Sequence, residues 1–293
     1  MMRYKPMLAH PIGGFERIKN DDWPLYSQPK LDGVRCLIQV DDEANKRGEF
    51  PVVAYSRTGK LWKNIDHILE DLHPFFDKFP DVVLDGELYN HDLRDNFEKI
   101  ISLVRKTKPT DEDRVESAEK VQFHCYDIIN EDWCFEDRKL FIQHNLSYYG
   151  DYFCDSVRTV LDNKVFNTEQ IEASHEDYLE MGFEGSIVRK NEPYECKRSW
   201  TLMKVKDFSD SEAKIIDWVE GKGKRIGTIG KFVAVDADGN EFGMPVMDKF
   251  EYLQNNFKEM QGWIGKTATF TYFERTNKGS YRHPLFKAIR DYE

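Results

Sequence analysis

Strand-like and helix-like segments are distributed unevenly along this chain, and that unevenness limits its fold more than any composition value. Residues 34–40, 82–88, 121–129 and 185–189 are runs of strand length, rich in β-branched and aromatic residues. Between them, apolar residues recur at helical spacing. Leu93, Phe97, Ile100, Ile101 and Val104 form one such pattern, and Ile171, Tyr178 and Leu179 form another. The second starts near Asn167-Thr168 and stops at Gly182, where glycine suits a left-handed cap. Residues 41–48 and 107–119 are polar and read as loops. Beyond Asp207-Phe208-Ser209-Asp210 the texture changes. Residues 213–219, 228–235 and 267–273 read as strands, 237–240 as a hairpin turn, and only Phe250, Leu253 and Phe257 give a helical pattern. These patterns predict an α+β domain over residues 1–206 and a small, mostly β module over 207–293.

The run Lys30-Leu31-Asp32-Gly33-Val34-Arg35 places a lysine beside an acid and a glycine, with an arginine five positions on. A lysine amine kept unprotonated is a nucleophile. Glycine lets backbone approach a ligand closely, and arginine grips phosphate through two parallel bonds. Taken alone, the run is equally a Lys–Asp pair in a turn before a strand. Val82-Val83-Leu84-Asp85-Gly86-Glu87 is an apolar strand ending in two acids. Such a strand can point Glu87 into a cleft, with Asp85 expected to face away or support the turn. Glu184 follows a helix, where the dipole disfavours an acid, and a carboxylate there suits Mg²⁺. Lys204 and Lys206 sit two apart, on one face if the segment is a strand, so both can hold one phosphate. Arg57 in Ser56-Arg57-Thr58-Gly59 reads either as a ligand contact or as a surface arginine in a tight turn.

The net charge of −11 at first opposes a nucleic-acid partner. The acidity is local, however: residues 1–206 carry −10 and residues 207–293 only −1. In the second part Lys222, Lys224, Arg225 and Lys231 gather around glycines and form a candidate surface for a phosphate backbone. No apolar run approaches a membrane span, and residues 1–10 hold no secretory apolar segment. The five cysteines form no C-x-x-C pair, so neither a zinc site nor an oxidising compartment is expected. A cytoplasmic, unsecreted protein follows (host-cell cytoplasm for a viral one).

These segments, in this order, resemble the ATP-dependent DNA ligases of the covalent nucleotidyltransferase superfamily. Residues 30–35 match the adenylation motif K-x-D-G-x-R. Pro6-Met7-Leu8-Ala9, Leu84-Asp85-Gly86-Glu87, Tyr126-Asp127, Glu184-Gly185-Ser186-Ile187-Val188-Arg189 and Lys204-Val205-Lys206 follow the family's further segments. The tail from Arg282 to Arg290 is similar to small bacteriophage ligases. The resemblance implies an adenylation domain followed by an oligonucleotide-binding (OB) barrel. It also implies sealing of 3′-hydroxyl/5′-phosphate nicks in duplex DNA, with ATP and Mg²⁺ (Mn²⁺ as a substitute) and a monomeric enzyme. In three phosphoryl transfers AMP passes from ATP to Lys30, then to the DNA 5′ phosphate, and is displaced by the 3′ hydroxyl. Lys30 is then the nucleophile, and Asp32 orients the site or acts on the 3′ hydroxyl. Arg35, Tyr126, Lys204 and Lys206 hold the nucleotide, with Tyr126 stacked on adenine. Glu87 contacts ribose and, with Glu184, metal. Arg189 and Lys190 extend the phosphate track, and Arg57 reaches DNA. The usual terminal R-x-D-K is missing, leaving Arg282 and Arg290 as candidates to orient pyrophosphate. Capping guanylyltransferases share the lysine chemistry, but the opening segment and the tail suit DNA ligases better; RNA ligases share it too, and the expected C-terminal barrel argues against many, though not all, of them. A silent DNA-binding module would not be expected to keep Lys30, Glu87, Glu184, Lys204 and Lys206 together.

Overall fold

The computed structural model describes residues 2–12, 15, 17–41, 43, 46–47, 51–146, 155–205, 209–272, 274–275 and 280–290. The chain forms two compact units, Met1–Lys206 and Asp207–Glu293. Lys206 and the side chain of Arg282 lie outside the described residues.

Among the described residues of the first unit, ten strands make two sheets. They are β1 (Leu8–Pro11), β2 (Leu25–Pro29), β3 (Val34–Val40), β4 (Val52–Tyr55), β5 (Leu84–Tyr89), β6 (Gln122–Ile128), β7 (Val157–Thr159), β8 (Asn163–Val165), β9 (Ser186–Arg189) and β10 (Arg198–Val205). One sheet has the order β1-β10-β9-β2-β8, the other β4-β3-β5-β6-β7. Pairing is antiparallel except for β1 with β10 and β6 with β7, so each sheet carries one parallel pair at its edge.

Period-two alternation decides what faces what. Along β3, Cys36, Ile38 and Val40 enter a large core with Leu84 and Leu88 of β5 and Phe123 and Cys125 of β6. Helices Asp66–Lys78, Phe97–Val104 and Phe135–Leu146 cover that face with Leu72, Phe75, Ile100, Leu103 and Ile142. The alternate residues, Arg35, Asp85, Glu87 and Tyr126, therefore project to the opposite face. In the other sheet Leu25, Val188 and Met203 pack with Ile171 of helix Thr168–Glu180. That leaves Gln28, Ile187, Arg189, Leu202 and Lys204 on the reverse. Apart from Asp85, these alternates of both sheets border one cavity.

The helix expected near Asn167 begins there, the Asn167 side chain accepting from the Gln170 N–H at 2.9 Å. It ends before Gly182, whose φ is +87°. The polar segment 107–119 is no loop: Asp111–Lys120 is a helix. Thr110 and Asp113 cap each other at its start. It buries only Ser117, so it has no apolar stripe to betray it. Leu93 lies in a 3-10 turn, His91–Asn96, and the α-helix begins only at Phe97.

In the second unit β11 (Ser209–Glu220), β12 (Ile229–Val235), β13 (Glu241–Pro245), β14 (Thr267–Tyr272), β15 (Glu274–Arg275), β16 (Tyr281–Arg282) and β17 (Leu285–Ile289) follow. Five form an antiparallel sheet of order β13-β12-β11-β14-β17, with β15 and β16 as a separate pair. The long β11 is bulged between Ile215 and Asp217 and again between Val219 and Glu220, and bulges bend a strand. The sheet wraps Phe232, Met244, Leu253, Met260 and Phe270 into one core. Curvature, strand order and two short helices (Phe250–Asn255 and Phe257–Gln261) make this the OB-fold unit. No helix among the described residues is long and apolar enough to cross a membrane.

Candidate active site

Lys30 stands one residue past β2, and its backbone is fixed on both sides. Its N–H donates to the Gly185 carbonyl at 2.9 Å, and its carbonyl accepts from the Glu184 N–H at 3.1 Å. The Nζ forms an ion pair with the Glu184 carboxylate, whose side chain is only 5 % exposed. Gly33 follows three residues on. A Cβ there would lie 2.5 Å from the Leu88 carbonyl and 2.6 Å from Glu87 Cγ, so only glycine lets β5 come this close.

Arg35 faces Glu87 across the β3–β5 ladder. Its guanidinium grips Asp85 with two bonds and donates to the Met7 carbonyl at 3.1 Å. Tyr194 Oη donates to Asp85 at 2.7 Å and accepts from the Met7 N–H at 2.7 Å. Asp85 therefore does not face away. It lies two residues from Glu87 on the same strand face and orients Arg35. The segment Pro6–Ala9 earns its place through Met7, which meets both Arg35 and Tyr194. Tyr126 Oη donates to Glu87 Oε2 at 3.3 Å. The guanidinium carbons of Arg35 and Arg189 lie 5.1 and 5.5 Å from the Tyr126 ring centre. Burial pushes the Glu87 carboxyl up to about 7, against the opposing pull of Arg35 and Lys30. Lys204 is held below the ordinary lysine range by burial and by the nearby cations Arg198 and Arg57.

Lys30, Arg35, Arg57, Glu87, Tyr126 and Lys204 line a single cavity of 250 Å³, with Gln28, Arg189, Arg198 and Leu202 completing its wall. Arg189 is fixed from behind. It donates to Gln28 at 2.6 Å and to Asp127 at 2.7 Å, and Asp127 also receives Arg138 at 2.7 Å. These three charged side chains are almost fully buried. A second cavity, of 700 Å³, adjoins the first across Arg35, Arg57 and Glu87. Trp62, Phe97, Ile101 and Val104 supply its apolar lining, and Lys60 and Arg105 are cations on its wall.

Of the residues singled out in the sequence, Asp32 is half-buried and outside the wall of the first cavity. Lys190 instead pairs with Asp22 at 2.7 Å. In the second unit Lys222, Lys224 and Lys231 are exposed. Arg225 is engaged, donating to the carbonyls of Val246 and Asp248 at 3.2 and 3.1 Å. Arg290 pairs with Glu212. Arg198 and Gln28 were missed as cavity residues. The only signal for Gln28 was its place two residues before Lys30, the spacing that puts strand neighbours on one face. Among the described residues no cluster of three or more acids, histidines or cysteines is arranged to hold a metal alone. Mg²⁺ needs only one or two carboxylates plus waters and substrate phosphates, and Glu87 on the cavity wall and Glu184 against Lys30 are the acids that could supply them.

Residues 6–206 match the family model of the ATP dependent DNA ligase domain. A DNA ligase of Haemophilus influenzae is 25% identical over 213 residues, covering 72% of this chain and 73% of that protein. A DNA ligase of African swine fever virus is 29% identical over 217 residues, covering 69% of this chain but 46% of that longer protein. A solved Lig E DNA ligase superposes with a TM-score of 0.73 at 24% identity, over 97% of this chain and 98% of the other. The ATP-dependent DNA ligase of bacteriophage T7 in complex with ATP gives 0.54 at 18% identity, over 98% of each chain. At such identities the structural likeness speaks for the fold.

Proposed function

The chain belongs to the ATP-dependent DNA ligase family, and from that premise we propose that it seals 3′-hydroxyl/5′-phosphate nicks in duplex DNA. The reaction runs through a lysine-AMP and a DNA-adenylate intermediate. The observation that carries the reading is the placement of Lys30. Its amine pairs with Glu184, and the residue lines the cavity that has Arg35, Arg57 and Lys204 as cations on its wall.

Lys30 Nζ attacks the α-phosphorus of ATP. An N–P bond forms, the P–O bond to pyrophosphate breaks, and pyrophosphate leaves with the electron pair. The amine must shed its proton, and Glu184, in contact with it, is placed to receive it. Lys204, Arg57 and Arg198 neutralise charge spreading over the phosphoryl oxygens. Tyr126 offers its ring to the base, and Arg35, held rigid by Asp85, keeps the phosphate side of the cavity fixed. Glu87 and Glu184 would hold Mg²⁺ through its waters, and the ion would supply positive charge that offsets the phosphates' negative charge. In the second step the DNA 5′ phosphate takes AMP from Lys30; in the third its 3′ hydroxyl displaces AMP. The larger cavity adjoins the first at Arg57, so a strand with its phosphates on Arg57, Lys60 and Arg105 reaches the reacting phosphate. Lys222, Lys224 and Lys231 of the OB-fold unit add backbone contacts. The enzyme works as a monomer in the cytoplasm.

Incubation with Mg²⁺ and α-labelled ATP, followed by denaturation, should leave acid-labile label on the protein. Lys30→Ala should lose that label and ATP-driven sealing, yet still seal DNA that is already adenylated. Label retained in Lys30→Ala, or label from GTP instead of ATP, would overturn the reading.

A further inference from the structure

The turn that follows Glu87 is fastened to the loop that presents Glu184. Two residues past Glu87, Tyr89 Oη lies 2.8 Å from His91 Nδ1. His91 Nε2 lies 3.0 Å from the Met181 carbonyl oxygen. A carbonyl only accepts, so Nε2 carries the hydrogen and, in the neutral ring, Nδ1 accepts from the Tyr89 hydroxyl. The His91 ring also packs on Phe183, their centres 4.5 Å apart. From the same turn, Arg94 Nη1 donates to the His91 carbonyl at 3.1 Å. The Arg94 side chain lies over Gly182, its Cδ and Nε 2.8 Å from where a Cβ would stand. Met181 and Phe183 are thus held by His91, Arg94 lies against Gly182, and the next residue is Glu184.

We propose that His91 and Arg94 are positioning residues, a clamp that sets the Glu184 carboxylate against Lys30 and ties it through Tyr89 to the strand bearing Glu87. The inference rests on Lys30 being the adenylated nucleophile. His91 does not line the nucleotide cavity, so its effect on Lys30 passes through the 181–184 loop. None of the short sequence motifs marks it: His91 and Arg94 fall between them, within the 6–206 region that matches the family model.

The test is single-turnover transfer of label from ATP to the full chain, measured against ATP concentration. His91→Phe keeps a ring against Phe183 and removes both hydrogen bonds. It should lower the maximal rate by about tenfold or more, as misplacement of a reacting group by a fraction of an ångström does. Half-saturating ATP should stay within about twofold of the parent. His91→Gln, which restores a donor to the Met181 carbonyl, should recover most of the rate. In a Glu184→Gln background His91→Phe should have little further effect, because the two act through one group. An unchanged maximal rate in His91→Phe at parental melting temperature would overturn the clamp. So would an equal fall with and without Glu184, or a fall that His91→Gln fails to rescue. Absence of label on the parent chain would instead remove the nucleophile reading itself.

Discussion

Replacing Glu87 with Gln should stabilise the first unit at alkaline pH and leave it unchanged at acid pH. The carboxyl is raised from 4.5 to about 7, chiefly by burial. A carboxyl whose folded pKa exceeds its unfolded one binds its proton more tightly in the native state. Between the two values the unfolded chain has released the proton and the folded chain has not, so stability falls as pH rises through that window. A gap of about 2.5 units corresponds to ~3 kcal/mol at full effect. Glu87 retains some solvent contact, so screening cuts this to roughly 1–2 kcal/mol. Gln has the same shape and never ionises. At pH 5 the folded carboxyl is still protonated and the pH lies only just above the unfolded value, so the two proteins should differ least there. At pH 8.5 the variant should melt higher by several degrees, since about 1 kcal/mol moves the midpoint by roughly 2–4 °C in a domain of this size. The assay is a melting curve at half-unit steps from pH 5 to 8.5. A difference that is flat across the series, or a variant less stable at pH 8.5, would refute the reasoning. Label transfer to Lys30 should meanwhile fall in the variant, so stability and activity move in opposite directions.

Tyr126→Phe keeps the ring but removes the hydroxyl that favours the Glu87 carboxylate. The Glu87 titration should then move upward, and label transfer should fall near pH 7 and recover near pH 9; a pH profile matching the parent would contradict this. Asp127→Ala strands Arg138 and Arg189 as uncompensated buried cations. It should cost about 3–5 kcal/mol in denaturant unfolding, and a loss below about 1 kcal/mol would argue against the network. Reversing Lys222 and Lys224 to Glu should weaken duplex binding and reduce the slope of log affinity against log salt by about 0.9 per lost phosphate contact. Arg225→Ala should leave that slope unchanged and lower the stability of the second unit, because Arg225 bonds two carbonyls there.

The parts of this molecule that could be read in one dimension are those whose physics is local. A β-strand alternates every two residues, so the apolar half of 34–40 and the acids of 82–88 disclosed both strand and cleft. Gly182 disclosed a helix end because few other residues take its backbone angles cheaply. The same local rule, applied one step further, would have placed Asp85 on the face of Glu87, since two residues apart on a strand means one side. The helix Asp111–Lys120 escaped because it packs through little but Ser117; its one local mark was the capping pair Thr110 and Asp113. What no local rule reaches is the closure of long loops. Asp85 meets Arg35 fifty residues away and Tyr194 a hundred and nine away. Glu184 meets Lys30 across 154 residues. Those pairings decide which acid orients, which ionises and which touches the nucleophile, and each depends on two sheets closing over one another. A motif can therefore identify the chemistry of a site, while its division of labour among like residues is set by the fold.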